Sequence, residues 1–163
     1  KNINLLKPVN FEEQIKVFSN LLREIKVKGK IGLMIVDGMT MLYRLELAEA
    51  SQQKAQEKIK SINSELAKQM RILAEIARNK NIPVIITNQV YSEFLSKDDF
   101  EAGKQAGIRM VGGDILKYWS KCIIELQQEK GKRKMILRKH RSLSEKELNF
   151  EITKNGVRKR GWI

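Results

Sequence analysis

The stretch Lys30–Thr40, KIGLMIVDGMT, constrains the fold more than any other part of the sequence. Leu33–Val36 is apolar without interruption, and Asp37 and Gly38 follow at once. A short apolar run of this kind is typical of a strand buried on both faces, as in a parallel sheet covered by helices. Such sheets bind ligands at the carboxyl ends of their strands, where Asp37 would lie. A carboxylate there can hold Mg²⁺ beside a bound phosphate, although Asp37 also suits the N-cap of a following helix.

Composition indicates one globular domain over residues 1–163, with a polyanionic partner. Of its 163 residues 42% are hydrophobic, which is enough for one core. The net charge of +13, from 32 Lys and Arg against 19 Asp and Glu, favours contact with nucleic acid. One Cys and one His exclude an internal disulfide and a structural zinc site, and the expected compartment is a reducing cytosol. No apolar run is long enough to cross a membrane, and the missing initial Met fits a fragment.

Apolar periodicity predicts two amphipathic helices on either side of the strand Ile31–Asp37. A short strand, Ile3–Lys7, is expected first and ends at Pro8, which cannot donate to a ladder. Asn10 is a good N-cap for the first helix, and Glu13 completes a capping box. The apolar face of that helix consists of Phe11, Ile15, Phe18, Leu22 and Ile25. The second helix ends near Asn79, and its apolar face consists of Ile59, Ile62, Leu66, Met70, Leu73 and Ala77.

A second buried strand ends in polar residues, as the first one does. Val84–Thr87 is short and mostly apolar, and Asn88 and Gln89 follow it. Parallel strands joined by a long helix form a right-handed unit, in which both carboxyl ends lie at the same edge of the sheet. We therefore expect Asp37 to lie beside Asn88 and Gln89.

The remainder of the chain predicts a long loop and then antiparallel strands. Tyr91–Met110 has no clear periodicity, and a loop of that length in a compact domain is usually functional or disordered. A Gly-Gly pair closes it, and a basic tail begins at Val157. Between them we expect a short helix, a hairpin with Gly131 in its turn, and one more strand: Asp114–Ser120, Cys122–Gln127, Lys134–Lys139 and Leu148–Thr153. The predicted fold class is α/β with a mixed sheet.

The order of these pieces resembles the ATPase core of the RecA-like recombinases, within them the archaeal RadA and RadB group, and most of all its shorter RadB branch. The resemblance rests on IGLMIVDGMTMLYRLE, the long helix, VIITNQV, the long loop, the Gly-Gly pair and the terminal hairpin. It covers nearly the whole chain, from just before the Walker B strand. It implies a RecA-like P-loop ATPase core with a mixed, mostly parallel sheet, flanking helices and a C-terminal antiparallel hairpin.

The resemblance also implies roles for individual residues. Asp37 matches the Walker B aspartate, which orders Mg²⁺ through water, and Gln89 matches the glutamine that senses the γ-phosphate of ATP. Tyr91–Met110 matches the second DNA-binding loop, whose cations and aromatic residues would follow single-stranded DNA. The residues concerned are Lys97, Lys104, Arg109, Phe94 and Phe100. Ordinary packing beneath a loop is an equally good interpretation of the two phenylalanines.

A KHR segment at the end of a predicted strand provides the last candidates. In related filaments, basic residues here reach the nucleotide of the neighbouring subunit. Lys139 and Arg141 would point to the same side of an extended chain and could stabilise phosphate charge in trans. A solvated basic hairpin explains the same residues equally well.

Two departures from the family limit the expected activity. The sequence contains neither GxxxxGKS nor GxxxxGKT, so nothing in it cradles the phosphates of ATP. Leu45–Gln56 also lacks the glycine-rich segment of a first DNA-binding loop. We therefore expect an accessory paralogue that binds ATP and DNA and assists the main RadA-like recombinase. Its full-length form would be a weak DNA-dependent ATPase, and this chain alone would be inactive.

Two other functions stay open at this point: a nucleic-acid binding module without ATPase activity, and a protein that modulates a recombinase filament. Upstream codons that contain a phosphate loop would decide between these classes. Without such a segment, Ile31–Val36 and Val84–Thr87 would keep unpaired edges and exposed apolar faces. We therefore expect that the chain is not a free monomer, and a homo-oligomer is one way to cover the gap.

Overall fold

A computed structural model describes residues 3–27, 31–92 and 108–160. The chain divides into two compact units, Lys1–Trp119 and Ser120–Ile163. The assignment of residues 1–163 to one functional domain stays a prediction. None of the helices in the described part of the chain is both long and apolar enough to cross a bilayer.

The first helix, α1, covers Phe11–Val27 and begins where the sequence predicts. The side-chain oxygen of Asn10 accepts the backbone N–H of Glu13 at 2.8 Å, and the Glu13 carboxylate accepts the N–H of Val9 at 3.0 Å. These bonds satisfy donors that the first turn of a helix leaves free. The predicted apolar face is confirmed, because Phe11, Phe18 and Ile25 are buried.

A parallel pair of strands and two helices complete the βα unit. Strand β1 is Met34–Val36, helices α2 and α3 are Met41–Gln52 and Gln56–Lys80, and strand β2 is Val84–Ile86. Met34 pairs with Val84 in a parallel register. The long crossover helix α3 allows this direction, because parallel strands need a connection of a dozen residues or more. The predicted α3 and β2 are therefore confirmed, and β1 is shorter than Ile31–Asp37.

The helices bury one face of this small sheet. Met34, Val36, Val84 and Ile86 are partly buried against the helical core. The residues between them on each strand point away from the helical core, so that Ile35 is 60% exposed and Ile85 is 50% exposed. Burial on both faces is thus wrong among the described residues, because one helical layer covers only one side of a pleated sheet. The expectation of an exposed apolar face is confirmed.

Two other segments differ from their predictions. Ile3–Lys7 forms no strand, because no described strand lies beside it to complete a ladder. Tyr91–Met110 is not irregular at its ends, where strands β3, Val90–Ser92, and β4, Ile108–Met110, pair antiparallel. Residues 93–107 lie outside the described part of the chain. Helix α4 follows at Gly113–Trp119, close to its predicted bounds.

The second unit is a four-stranded antiparallel sheet in the order β5-β6-β7-β8. Its strands are Ile123–Glu129, Lys132–Lys139, Lys146–Thr153 and Gly156–Lys159. Lys130 and Gly131 have φ values of 47° and 77°, as a two-residue hairpin turn requires. The predicted hairpin is confirmed, but its sheet is larger because the expected basic tail forms β8. A mostly parallel sheet is wrong for the described residues, since β1 and β2 are their one parallel pair.

Candidate functional site

The carboxyl ends of β1 and β2 meet, as the two polar strand ends predict. The Thr87 hydroxyl donates to Oδ1 of Asp37 at 2.6 Å and accepts the backbone N–H of Gly38 at 2.8 Å. The backbone N–H of Met39 donates to the Thr87 carbonyl at 3.0 Å. Gly38 has a φ of 75°, a left-handed conformation in which a side chain is unfavourable. Thr87 therefore fixes both the Asp37 carboxylate and the turn that follows it.

The Asp37 carboxylate can accept a hydrogen bond from a water that is bound to a metal ion. Its side chain is exposed, and Oδ2 has no partner among the described residues. No group of three or more His, Cys, Asp or Glu gathers in the described residues. Mg²⁺ usually keeps several waters and binds through one or two carboxylates together with substrate phosphates. The site thus fits Mg²⁺ that arrives with a nucleotide, whereas a metal site built from protein ligands alone does not fit.

A second set of hydrogen bonds leads from this edge to the strand pair β3–β4. The buried Thr40 hydroxyl donates to Oδ1 of Asn88, whose amide nitrogen donates to the Val111 carbonyl at 2.8 Å. The backbone N–H of Val111 donates to the Gln89 carbonyl at 3.1 Å. Val111 directly follows β4. These bonds thus connect Thr40 to the residue that directly follows β4.

Gln89 lies between Asn88, which belongs to this hydrogen-bond network, and the first residue of β3. Its side chain is exposed, and its neighbour Asn88 is held on both sides by the bonds above. An exposed amide at the sheet edge is free to reach a phosphate oxygen. Its role as a γ-phosphate sensor stays a prediction.

The predicted DNA-binding residues are described only in part. Phe94, Lys97, Phe100 and Lys104 lie outside the described residues. Arg109 lies on β4 opposite Tyr91, and both side chains are exposed. The described structure thus brings the two ends of the predicted DNA-binding segment together at the edge that holds Asp37, and contact with DNA stays a prediction.

Lys139 and Arg141 belong to the second unit. Lys139 is the last residue of β6, and Arg141 lies in the bend that follows. The His140 ring accepts the backbone N–H groups of Ser142 and Leu143 through Nδ1, at 3.2 and 3.1 Å, and so shapes this bend. The chain thus bends at Arg141, and a role of either cation toward a neighbouring nucleotide stays a prediction.

Sequence reasoning missed Thr40 and Thr87, which hold the polar edge together. Thr87 stands directly before Asn88-Gln89 at the end of a strand. A hydroxyl at that position, opposite an aspartate at the end of the parallel neighbour, is the signal that could have found it. Thr40 carries no comparable signal, because its role depends on a contact with Asn88 across the sheet edge.

Comparison with known proteins identifies the family of the chain. Residues 1–160 match the Rad51 family. The chain is 40% identical to a DNA repair and recombination protein RadB of Methanococcus maripaludis (strain C7) over 96% of its own length and 64% of that protein. A protein of the same name from Methanobrevibacter smithii is 38% identical over 96% of the chain and 62% of that protein. A protein of the same name from Methanocaldococcus jannaschii is 34% identical over 96% of the chain and 66% of that protein.

The chain thus spans about two thirds of the length of these curated relatives. The match to the family covers almost every residue of the chain, including the strand end at Asp37 and the polar residues after β2. The chain belongs to the Rad51 family of RecA-like proteins.

Proposed function

We propose that the chain is part of a RadB-like recombinase paralogue that binds Mg²⁺–ATP and single-stranded DNA and assists the main RadA-like recombinase of an archaeal cell. The observation that carries this proposal is the hydrogen-bonded edge at the carboxyl ends of β1 and β2. It presents one carboxylate, Asp37, and one exposed amide, Gln89, at the place where open α/β sheets bind ligands.

In this proposal, Asp37 would hold the nucleotide-bound Mg²⁺ through a water that donates to its Oδ2. The Thr87 hydroxyl holds the other oxygen and so orients the carboxylate. Bound Mg²⁺–ATP would contribute the γ-phosphate whose presence Gln89 senses. The phosphate cradle itself has no counterpart in the sequence, which contains neither GxxxxGKS nor GxxxxGKT. Lys139 and Arg141 are the candidates for cations that act on a neighbouring subunit's nucleotide.

The proposed link to DNA runs through the second set of bonds. Thr40, Asn88 and Val111 connect the turn after β1 to the residue that follows β4. A nucleotide that shifts this turn would change how the ends of the 93–107 segment are held. The cations and phenylalanines of that segment, together with Arg109, are the proposed contacts with single-stranded DNA.

Fluorescence anisotropy with a labelled single strand at several salt concentrations tests the DNA part of the proposal. Each neutralised phosphate contributes about −0.7 to the slope of log affinity against log salt. We expect tight binding and a steep slope, because the chain carries a net charge of +13. A slope near zero would refute DNA binding by charge.

A second candidate, a nucleic-acid binding or filament-modulating module without ATPase activity, is favoured by the distribution of charge. Residues 120–163 carry thirteen Lys and Arg against five Glu, while residues 1–119 carry nineteen against fourteen Asp and Glu. The same anisotropy experiment on the natural full-length protein, with and without Mg²⁺–ATP, separates the two. A change in DNA affinity supports the nucleotide-binding paralogue, and no change at saturating Mg²⁺–ATP supports the module.

A further inference from the structure

Two glutamines are buried in the helical core beneath the turn that follows β1. Gln14 on α1 is 5% exposed and Gln69 on α3 is 1% exposed. The Gln14 amide nitrogen donates to Oε1 of Gln69 at 2.7 Å and to the Met39 carbonyl at 3.2 Å. The Gln69 amide nitrogen is buried and has no partner among the described residues.

This arrangement is a poor way to stabilise a core. A buried donor without an acceptor keeps the full cost of its lost hydration. Two apolar side chains of similar volume would fill the same space without that cost. The pair therefore calls for a reason other than stability, and its contact with the backbone of Met39 points to one.

Met39 is held from two sides. From the sheet side, its backbone N–H donates to the Thr87 carbonyl at 3.0 Å. From the helix side, its carbonyl accepts the Gln14 amide at 3.2 Å. Met39 follows Asp37 by two residues and directly precedes Thr40. Its backbone thus lies between the carboxylate of the candidate magnesium site and the hydroxyl that binds Asn88.

We propose that Gln14 is a positioning residue that locks the turn Asp37–Thr40 in the conformation that Mg²⁺–nucleotide requires. Gln14 makes the contact with the turn through one N–H of its amide, and Gln69 accepts the second N–H without touching the turn. The ligand in this inference rests on the proposed function, whereas the locking is a property of the described chain and is testable without any ligand.

The two glutamines make unequal contributions, which gives a sharp stability test. Gln14→Met would leave the Met39 carbonyl and the whole Gln69 amide unpaired in the core. Gln69→Met would leave Gln14 its bond to Met39 and would remove the unpaired Gln69 amide nitrogen, at the cost of one Gln14 N–H that loses its acceptor. We expect a large fall in the urea midpoint for Gln14→Met and a small change for Gln69→Met. The double variant should recover most of the loss, because only the Met39 carbonyl then lacks its partner.

The double variant separates positioning from simple packing. Hydrogen–deuterium exchange should be followed on a peptide that covers Gly38 and Met39, with a peptide from the middle of α3 as the internal reference. We expect exchange at the turn to become about tenfold faster in the double variant, even where its global stability is close to wild type. Gln69→Met is the matched control and should keep the wild-type protection.

Wild-type protection of the turn in a stable double variant would overturn the proposal, because the pair would then be core filler only. An equal loss of stability in Gln14→Met and Gln69→Met would also overturn it. In the natural protein, Mg²⁺-dependent binding of a fluorescent ATP analogue should weaken in the double variant and not in Gln69→Met. If the wild type shows no such binding, the proposed function fails, while the exchange result still decides whether the turn is locked.

Discussion

The two units of this chain use polar residues in different ways. In Lys1–Trp119, side chains from several elements converge: Thr87 bonds Asp37, Thr40 bonds Asn88, and the buried Gln14 bonds both Gln69 and the Met39 carbonyl in the turn. In Ser120–Ile163, the polar residues are mainly charged and are spread over four antiparallel strands. The first unit therefore has the features of a site whose chemistry depends on geometry, and the second those of a surface whose effect depends on total charge.

The sheet of the second unit separates its charges by face. Residues paired across antiparallel strands share a face, and Glu125, Glu147 and Glu151 lie on one face with their partners Arg138, Lys134 and Arg158. The other face of the described strands carries no acid. It presents aliphatic and basic side chains, among them Leu126, Leu148, Ile152, Arg133, Lys146 and Lys159. The electrostatic attraction to a polyanion adds up over the charges near it and depends little on their exact positions. A metal–nucleotide site, in contrast, requires a few atoms in fixed places.

The largest expected effect concerns self-association, because each unit exposes an aliphatic sheet face. Light scattering of the 163-residue chain, with mass spectrometry of the same sample, should show a species larger than a monomer. Replacement of Ile35 and Ile85 by Lys should reduce the association more than replacement of Leu126 and Ile152. The strands β1 and β2 have no further partner strand among the described residues, so their outer edges are also open. A stable, monodisperse wild-type monomer would contradict this prediction.

Two matched triple variants compare the units as DNA contacts. Replacement of Lys97, Lys104 and Arg109 together by Ala should make the slope of log affinity against log salt shallower by about 2. Raising the salt from about 50 to 200 mM would then reduce the DNA affinity by a factor roughly 20 times smaller than in the wild type. Arg133, Lys146 and Lys159, replaced in the same way, remove the same charge from the second unit and should change the slope less. Anisotropy on one labelled single strand measures both. The reverse order would place the main DNA contact on the second unit.

Two glycines with the same backbone conformation compare the packing of the units. Gly112 and Gly131 have φ values of 76° and 77°. A Cβ on Gly112 would meet side chains of Leu116 at 2.7 Å and of Leu66 and Thr40 at 3.2 Å, whereas one on Gly131 would meet nothing within 4 Å. We expect Gly112→Ala to destabilise the fold by about 3 kcal/mol and Gly131→Ala by about 1 kcal/mol, since only the first adds crowding to backbone strain. Urea unfolding measures both, and equal losses would show that Gly112 is not closely packed.

The smallest expected effect is an ion pair of the second unit. A hydrogen bond from Arg138 to Glu125, at 2.5 Å, lowers the pKa of that carboxyl below its ordinary 4.5. A carboxyl whose pKa is lower in the folded state than in the unfolded state stabilises the fold at pH values above the unfolded-state pKa. This contribution is lost as the pH falls through the folded-state pKa. The pair is partly exposed, so Glu125→Gln should cost less than about 1 kcal/mol at neutral pH. The difference from wild type should disappear in acid, and a difference that persists there would show another cause.

The control for this ion pair lies on the first unit. Lys16 and Glu12, one turn apart on α1, form a fully exposed pair at 2.6 Å, and Lys16 likewise lowers the pKa of Glu12. Solvent and salt screen such a pair strongly. Glu12→Gln should therefore change the stability less than Glu125→Gln at neutral pH, and neither should change it in acid. A larger effect of Glu12→Gln would mean that the two ion pairs are not distinguished by their burial.

The parts of the fold that were predictable depend on local signals. The apolar faces of α1 and α3 recur at helical spacing, and the Asn10 cap marks where α1 begins. The hairpin at Gly131 was also visible, because its turn needs residues with positive φ. Ile3–Lys7 has strand-like composition, but a strand also needs a neighbour, and composition does not show one. The ladder of β3 and β4 was missed because three residues are too few to reveal a period.

The candidate site was predictable at its charged and amide residues only. Asp37, Asn88 and Gln89 stand out because polar residues directly follow apolar strands. Gln14 and Gln69 lie on helices, where a polar residue normally faces water, so only the packing of α1 on α3 reveals that both are buried. Whether Asp37 and Gln89 act on nucleotide depends on groups that the sequence does not contain, above all a phosphate loop.

The most direct test of the account compares Asp37→Asn with Asp114→Asn in the natural protein. Asn at position 37 can still accept the Thr87 hydroxyl, so the turn should persist while the charge that orders Mg²⁺ is lost. Asp114 lies exposed in the first turn of α4 and is the matched control. The measurements are Mg²⁺-dependent ATP binding and turnover, with the salt slope of single-stranded DNA binding on the same samples. We predict that Asp37→Asn loses Mg²⁺-dependent ATP use, that Asp114→Asn keeps it, and that all three proteins share one salt slope. Undiminished Mg²⁺–ATP use by Asp37→Asn would contradict the account.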